Sequence, residues 1–156
     1  MLEFDIPGHG RVMLENVLLD VNGTIAAGGA LLPGVADALA ALEDVLNVIA
    51  VTADTHGTAA VLRAEIGCEV RVIVTGGEGR QKQAILRELG AEHTAVVGNG
   101  ANDALALRDA AIGIVVIGAE GAARTALENA DVVVTDVLDA LTLLVEPRRL
   151  VATLRS

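Results

Sequence analysis

The sequence predicts an α/β fold built on a doubly wound parallel sheet, and three observations carry that expectation. Short apolar runs rich in β-branched residues alternate with longer segments in which apolar residues recur at helical spacing. The runs are apolar almost throughout, as strands covered on both faces are. The chain has 156 residues, 53% of them hydrophobic and 21% charged, which fits one domain with a sizeable core spanning residues 1–156.

In chain order, Leu2-Glu3-Phe4-Asp5-Ile6 alternates, Pro7-Gly8-His9-Gly10 turns and Arg11-Val12-Met13-Leu14 follows, a pattern that predicts an edge hairpin. Strands are expected at Val17–Leu19, Val48–Val51, Val70–Val74, Ala95–Val97, Ile112–Ile117 and Val132–Val134. Between them, helical spacing joins Val35, Leu39, Leu42 and Leu46, and then Ala59, Leu62 and Ile66. It joins Ile85 with Leu89, and Leu138 with Leu141 and Val145. Pro33 sits near a helix start, Gly90 follows a helix end and Asp136 suits an N-cap. A last helix begins at Pro147 and carries Arg148, Arg149 and Arg155 on a solvated face or a subunit contact. Alternation of this kind implies right-handed crossovers and helices on both faces.

Composition removes several classes of function. Acids outnumber bases 21 to 11, a net charge of −10, which repels nucleic acid and anionic membrane. The longest apolar run, Ala110–Ala119, falls short of the ~20 residues that span a bilayer. Glu3 and Asp5 leave no basic-then-apolar leader, and the one cysteine, Cys68, reads as packing, so a cytoplasmic location is expected. The only serine is Ser156 and the only aromatic residue is Phe4, which exclude a serine nucleophile and base stacking. His9, His56 and His93 lack ligand spacing, so zinc is not expected.

In a parallel sheet, ligands bind where strands end at their carboxyl edge. The first buried strand ends in Asp20-Val21-Asn22-Gly23-Thr24, the second in Thr52, and the run at Ala95 in Gly98-Asn99-Gly100-Ala101-Asn102-Asp103. A lone Asp at such a place ordinarily caps a turn, but the Gly23 that follows lets backbone approach a phosphate. Lys82 is the only lysine among eleven basic residues, so a compact, flexible charge is specifically called for there. Gly98-Asn99-Gly100 invites a dinucleotide reading, but G-x-G-x-x-G would need glycine where Asp103 stands.

Taken together, Asp-x-Asn-Gly-Thr, a strand-end Thr, a Lys and Gly-Asn-Gly-x-Asn-Asp-Ala-x-Ala-Leu resemble the haloacid dehalogenase-like hydrolase superfamily. The closest likeness is to a free-standing P-type ATPase phosphorylation domain. The resemblance implies a Rossmann-like core and an Mg²⁺-dependent phosphohydrolase in which Asp20 attacks phosphorus and becomes an aspartyl phosphate. It implies that Asn22, Thr52 and Lys82 complete the catalytic set. Gly23, Thr24, Thr52, Ala53, Lys82 and Asn102 would cradle the phosphoryl group, and Asp20, Asn22, Asn99 and Asp103 would hold Mg²⁺. Such chemistry needs in-line positioning and cations against spread oxygen charge.

Two departures from the family pattern matter. The phosphatases place an acid–base Asp two residues after the nucleophile, where this chain has Asn22. P-type ATPases also lack that acid, and their phosphoenzyme is long-lived. An amide cannot exchange a proton at neutral pH, so the expectation is a slow enzyme that favours good leaving groups. Asn99 replaces the metal-binding Asp of Gly-Asp-Gly, which removes one negative charge. The 27 residues between Thr24 and Thr52, and the 29 between Thr52 and Lys82, hold no cap domain. Only the flap Ile25–Ala30 remains to cover the site. An open, capless site implies a small phosphorylated substrate or a phosphorylated macromolecule with its own bulk, or a lid from a second copy in a homo-oligomer. A rival reading is an impaired phosphate- or Mg²⁺-responsive module. A response-regulator receiver is disfavoured because its phosphorylated Asp ends the third strand rather than the first.

Overall fold

A computed structural model of the chain describes residues 1–53 and 59–156. The strands are β1 (Leu2–Ile6), β2 (Gly10–Leu14), β3 (Asn16–Asp20), β4 (Ala26–Ala27), β5 (Ala30–Leu31), β6 (Asn47–Thr52), β7 (Glu69–Val72), β8 (Thr94–Gly98), β9 (Ile112–Val116) and β10 (Val132–Val134). The helices are α1 (Val35–Glu43), α2 (Ala59–Ile66), α3 (Glu78–Leu89), α4 (Ala104–Asp109), α5 (Arg124–Leu127), α6 (Val137–Val145) and α7 (Pro147–Leu154). The strands of the main sheet run in the order β10-β9-β8-β3-β6-β7, and every neighbouring pair is parallel.

Pleating divides the apolar side chains between two cores. Val17 and Leu19 of β3 join Val48, Ala50, Val97 and Ile114 on the face covered by α1, α2, α6 and α7, where Leu39, Leu62, Leu141 and Leu150 are buried. Leu18, Ile49, Val96 and Val115 face the other way, against Leu86 of α3, Leu107 of α4 and Ala126 of α5. Covering both faces is what makes the strands read as unbroken apolar runs. From β3 the chain steps one way to β6 and β7, then returns to place β8 on the other side of β3. This switch point opens a crevice at the carboxyl ends of β3 and β8.

Several expectations are corrected. The N-terminal hairpin is present, but β1 and β2 form a separate two-stranded sheet rather than an edge of the main one. Its chain leads directly into β3, whose two sides are already taken by β6 and β8, so the hairpin packs Ile6, Val12 and Leu14 onto the first core instead. The strand expected to reach Val74 ends at Val72 because β6 ends at Thr52, whose carbonyl takes the Ile73 amide at 2.9 Å. Beyond it, the Gln81 carboxamide stands in for a strand partner, bonding the Val74 amide and carbonyl at 3.0 and 2.8 Å. Similarly, β9 stops at Val116 rather than Ile117. Helices α4 and α5, of six and four residues, are too short for periodicity to announce them. Cys68 is buried in the first core, and burial pushes its thiol up to about 11. His56 lies outside the described residues. Among them, no helix is long and apolar enough to cross a membrane.

The expected cap at Asp136 is formed, its carboxylate accepting the Leu138 amide at 2.8 Å. Asp136→Ala is expected to cost about 1 kcal/mol, with Asp136→Asn nearly neutral, in urea denaturation.

Candidate active site

Asp20 ends β3 at the crevice, and its carboxylate is shared between two donors. Oδ1 accepts from the Lys82 ammonium at 2.6 Å, and Oδ2 accepts from the Thr24 hydroxyl at 3.1 Å. Lys82 reaches in from α3 with its side chain only 4% exposed, and its ammonium also donates to Asp103 Oδ1 at 2.6 Å and Asn102 Oδ1 at 3.4 Å. A buried ammonium is tolerated only when charges of opposite sign surround it. Burial by itself would pull the Lys82 pKa down, but Asp20 and Asp103 outweigh it and hold it above its ordinary value.

Asp103, expected to help hold Mg²⁺, lies against Lys82 and the turn after β8. Its Oδ1 faces Lys82, while Oδ2 accepts the backbone amides of Asn99 at 3.0 Å and Gly100 at 2.8 Å. Both oxygens are engaged by protein donors, so it reads as the group that positions Lys82. The close approach requires Gly98, where a Cβ would lie 2.4 Å from the Asp103 carboxyl carbon.

Asn99 is 8% exposed and oriented by the loop after β9. Its Nδ2 donates to the Gly121 carbonyl at 3.2 Å, which turns Oδ1 toward Thr24, 3.2 Å from that hydroxyl. Asp20 Oδ2 and Asn99 Oδ1 thus compete for one hydroxyl proton, leaving oxygen lone pairs in excess. A carboxylate oxygen beside an amide oxygen is a donor set suited to a hard cation such as Mg²⁺. Among the described residues, no three His, Cys, Asp or Glu side chains gather into a metal group.

Asn22 Nδ2 lies 3.5 Å from the Thr52 hydroxyl, across the mouth of a cavity of ≈230 Å³. Asp20, Ala53, Lys82, Asn99 and Asn102 are among the residues that line it. The two-stranded flap β4–β5 follows Thr24 directly, and Gly23 has a φ of +82° that suits glycine. The structure therefore brings together every sequence-selected site residue, with Gly23 and Thr24 lining an adjoining cavity. It adds one that nothing in the sequence singled out. Glu120, in the turn Gly118-Ala119-Glu120-Gly121 after β9, lines both cavities. Only the placement of β9 beside β8 brings that turn to the site.

Burial, with Asp103 nearby, pushes the Asp20 carboxyl up to about 6 from 3.8, against the opposing pull of Lys82 and Thr24. A raised carboxylate pKa means that the folded state holds its proton more tightly than the unfolded chain does. The cost of ionising Asp20 is fully present above about pH 6 and disappears as pH falls toward 3.8. Metal-free Asp20→Asn should therefore melt higher than the wild type at pH 8, by an amount that shrinks between pH 6 and pH 4. Thermal denaturation in chelator across that range checks it.

A family model described as haloacid dehalogenase-like hydrolase matches residues 2–111. An uncharacterised protein of Methanocaldococcus jannaschii is 45% identical over 84 residues, which are 51% of this chain and 90% of that protein. A soluble P-type ATPase-like phosphatase of the same organism is 29% identical over 129 residues, covering 80% of this chain and 47% of the relative, so the chain spans about half of its length. Among solved structures, the 3-deoxy-D-manno-octulosonate 8-phosphate phosphatase of Moraxella catarrhalis, bound to magnesium, phosphate and KDO, shares the fold. Its TM-score is 0.70 at 17% identity, covering 91% of this chain and 94% of that one. A zinc-transporting PIB-type ATPase in the E2.Pi state gives a TM-score of 0.64 at 28% identity, covering 79% of this chain and 20% of the pump. With that match over most of its length, the chain belongs to the haloacid dehalogenase-like hydrolase family.

Proposed function

We propose that the protein is an Mg²⁺-dependent phosphohydrolase that works through an aspartyl phosphate on Asp20. The observation that carries the proposal is the Lys82 ammonium held at 2.6 Å from both Asp20 and Asp103, at a cavity lined by strand-end hydroxyl and amide groups. Asp20 attacks phosphorus while the bond to the leaving oxygen breaks and that oxygen departs with the electron pair. Lys82 balances negative charge on Asp20 and the incoming phosphoryl oxygens. Thr52, Asn102 and the backbone at Gly23, Thr24 and Ala53 orient those oxygens. Water then attacks the acyl phosphate, releasing phosphate and restoring Asp20. Mg²⁺, held by Asp20, the Asn22 carbonyl and Asn99, supplies charge against the phosphoryl oxygens when bound. Asp103 is the positioning residue for Lys82. The substrate is a small phosphorylated molecule, or a phosphorylated macromolecule that covers the open site itself.

No carboxylic acid stands at position 22 to protonate the leaving group or to activate water. Turnover is therefore slow and favours acyl and aryl phosphates over alkyl phosphates. The same amide, with Asn99, supports a second reading in which the protein binds phosphate and Mg²⁺ with little turnover.

Two experiments test these readings. Intact-mass spectrometry with acetyl phosphate and Mg²⁺ should show one added phosphoryl group on the wild type and none on Asp20→Asn, whose phosphatase activity should also vanish. Phosphorylation that survives Asp20→Asn overturns the assignment, and labelling without phosphate release selects the second reading. Asn22→Asp, compared at saturating Mg²⁺, should narrow the gap between aryl and alkyl phosphates by up to ~10²–10⁴, the range of general acid catalysis. An unchanged gap means that position 22 does not serve proton transfer.

A further inference from the structure

The charges at the site do not balance for a dication. Asp20 and Asp103 contribute two negative charges, the Lys82 ammonium between them contributes one positive, and Asn22, Asn99 and Asn102 are neutral. Asp103 is committed to Lys82 and two amides, so one half-neutralised carboxylate is left to face a cation. Affinity for hard cations rises with the count of charged ligands.

Glu120 is the remaining acid in the lining of the Asp20 cavity. A Cβ built on Gly23 would lie 2.6 Å from Glu120 Oε2, and 2.7 and 3.1 Å from Asn99 Nδ2 and Oδ1. The Glu120 carboxylate and the Asn99 amide therefore flank one point over Gly23, directly after the Asn22 carbonyl. The turn is anchored there by its own bonds to Asn99. Nδ2 of Asn99 donates to the Gly121 carbonyl at 3.2 Å, and the Ala123 amide donates to the Asn99 carbonyl at 2.8 Å. Gly23 lacks a side chain and has a φ of +82°, so nothing bulkier separates the two groups.

We propose that Glu120 supplies the second carboxylate charge for the catalytic cation, offsetting the neutral amide at Asn99, either by direct ligation or through a cation-bound water. The inference rests on the reading of Asp20, Asn22 and Asn99 as the cation site. It makes the loop after β9 part of that site, so cation affinity is set by a residue outside the strand-end motifs.

The test measures Mg²⁺ binding by calorimetry at fixed ionic strength, without substrate, and Mn²⁺ binding by electron paramagnetic resonance. Glu120→Gln should weaken binding about 10-fold, the low end for loss of a supporting carboxylate. Glu92→Gln, an exposed acid in the turn preceding β8 at the opposite edge of the sheet, makes the same change in net charge and should leave binding unchanged. Asn99→Asp should recover part of the loss in the Glu120→Gln background. Equal affinities for Glu120→Gln and Glu92→Gln overturn the role of Glu120 while leaving the Asp20 site intact. Cation binding that survives Asp20→Asn overturns both, because the ion is then held elsewhere. The exposed Glu120 makes no hydrogen bond or ion pair with a described residue, so its replacement leaves folding undisturbed.

Discussion

A single buried ammonium organises the site. Lys82 cannot sit nearly enclosed beside the sheet without neighbouring negative charge, and Asp20 and Asp103 provide it from two different strand ends. That demand propagates outward. Asp103 must point inward, so the turn after β8 spends two backbone amides on its second oxygen, and residue 98 must be glycine to let the carboxylate close. Helix α3 must lie close enough to the same turn for its lysine to reach across. Removing Asp103, the more deeply enclosed of the two acids, would leave a buried cation short of a partner, which is far costlier than losing a surface ion pair.

In the proposed reaction, the same arrangement would prepare Asp20 for attack. A carboxylate held by one ammonium and one hydroxyl is fixed in orientation, yet burial and Asp103 keep it from being over-stabilised, as its raised pKa records. A nucleophile too well satisfied by its surroundings would be unreactive. The balance at Asp20 is destabilisation by burial against stabilisation by Lys82, and it is set by topology. β3 lies between β6 and β8, so its end is the place where Thr52 and the turn after β8 can both approach.

Much of this was legible in the sequence because strands buried on both faces admit few polar residues. A polar group that ends such a run, as Asp20, Thr52 and Asn99 do, marks the sheet edge without knowledge of the strand order. Lys82 stood out because every other basic position is arginine. The division of labour between Asp103 and Asn99 was not legible. Both follow one strand in one short motif, and only the direction of each side chain separates a partner for Lys82 from an acceptor facing Thr24. The hairpin was visible as alternation, but its placement depended on both sides of β3 being taken. Glu120 carried no signal at all, since an acid in a Gly-Ala turn is an ordinary surface residue until β9 is known to neighbour β8.

The two asparagines acquire a common logic from this geometry. At position 99, an amide can donate to the Gly121 carbonyl and present its oxygen to Thr24 in the same pose. A carboxylate there would set an oxygen against that carbonyl, so the turn carrying Glu120 is matched to an amide. At position 22, an amide can donate to the Thr52 hydroxyl, tying two strand ends together across the cavity. In both places a group that could carry charge or a proton is replaced by one that holds neighbouring elements in register. On the proposed reading, the site would gain rigidity at the expense of acid–base capacity, and charge for a cation would come from beyond the motif. Glu120 stands on a loop to which Asn99 is bonded through both its side chain and its backbone.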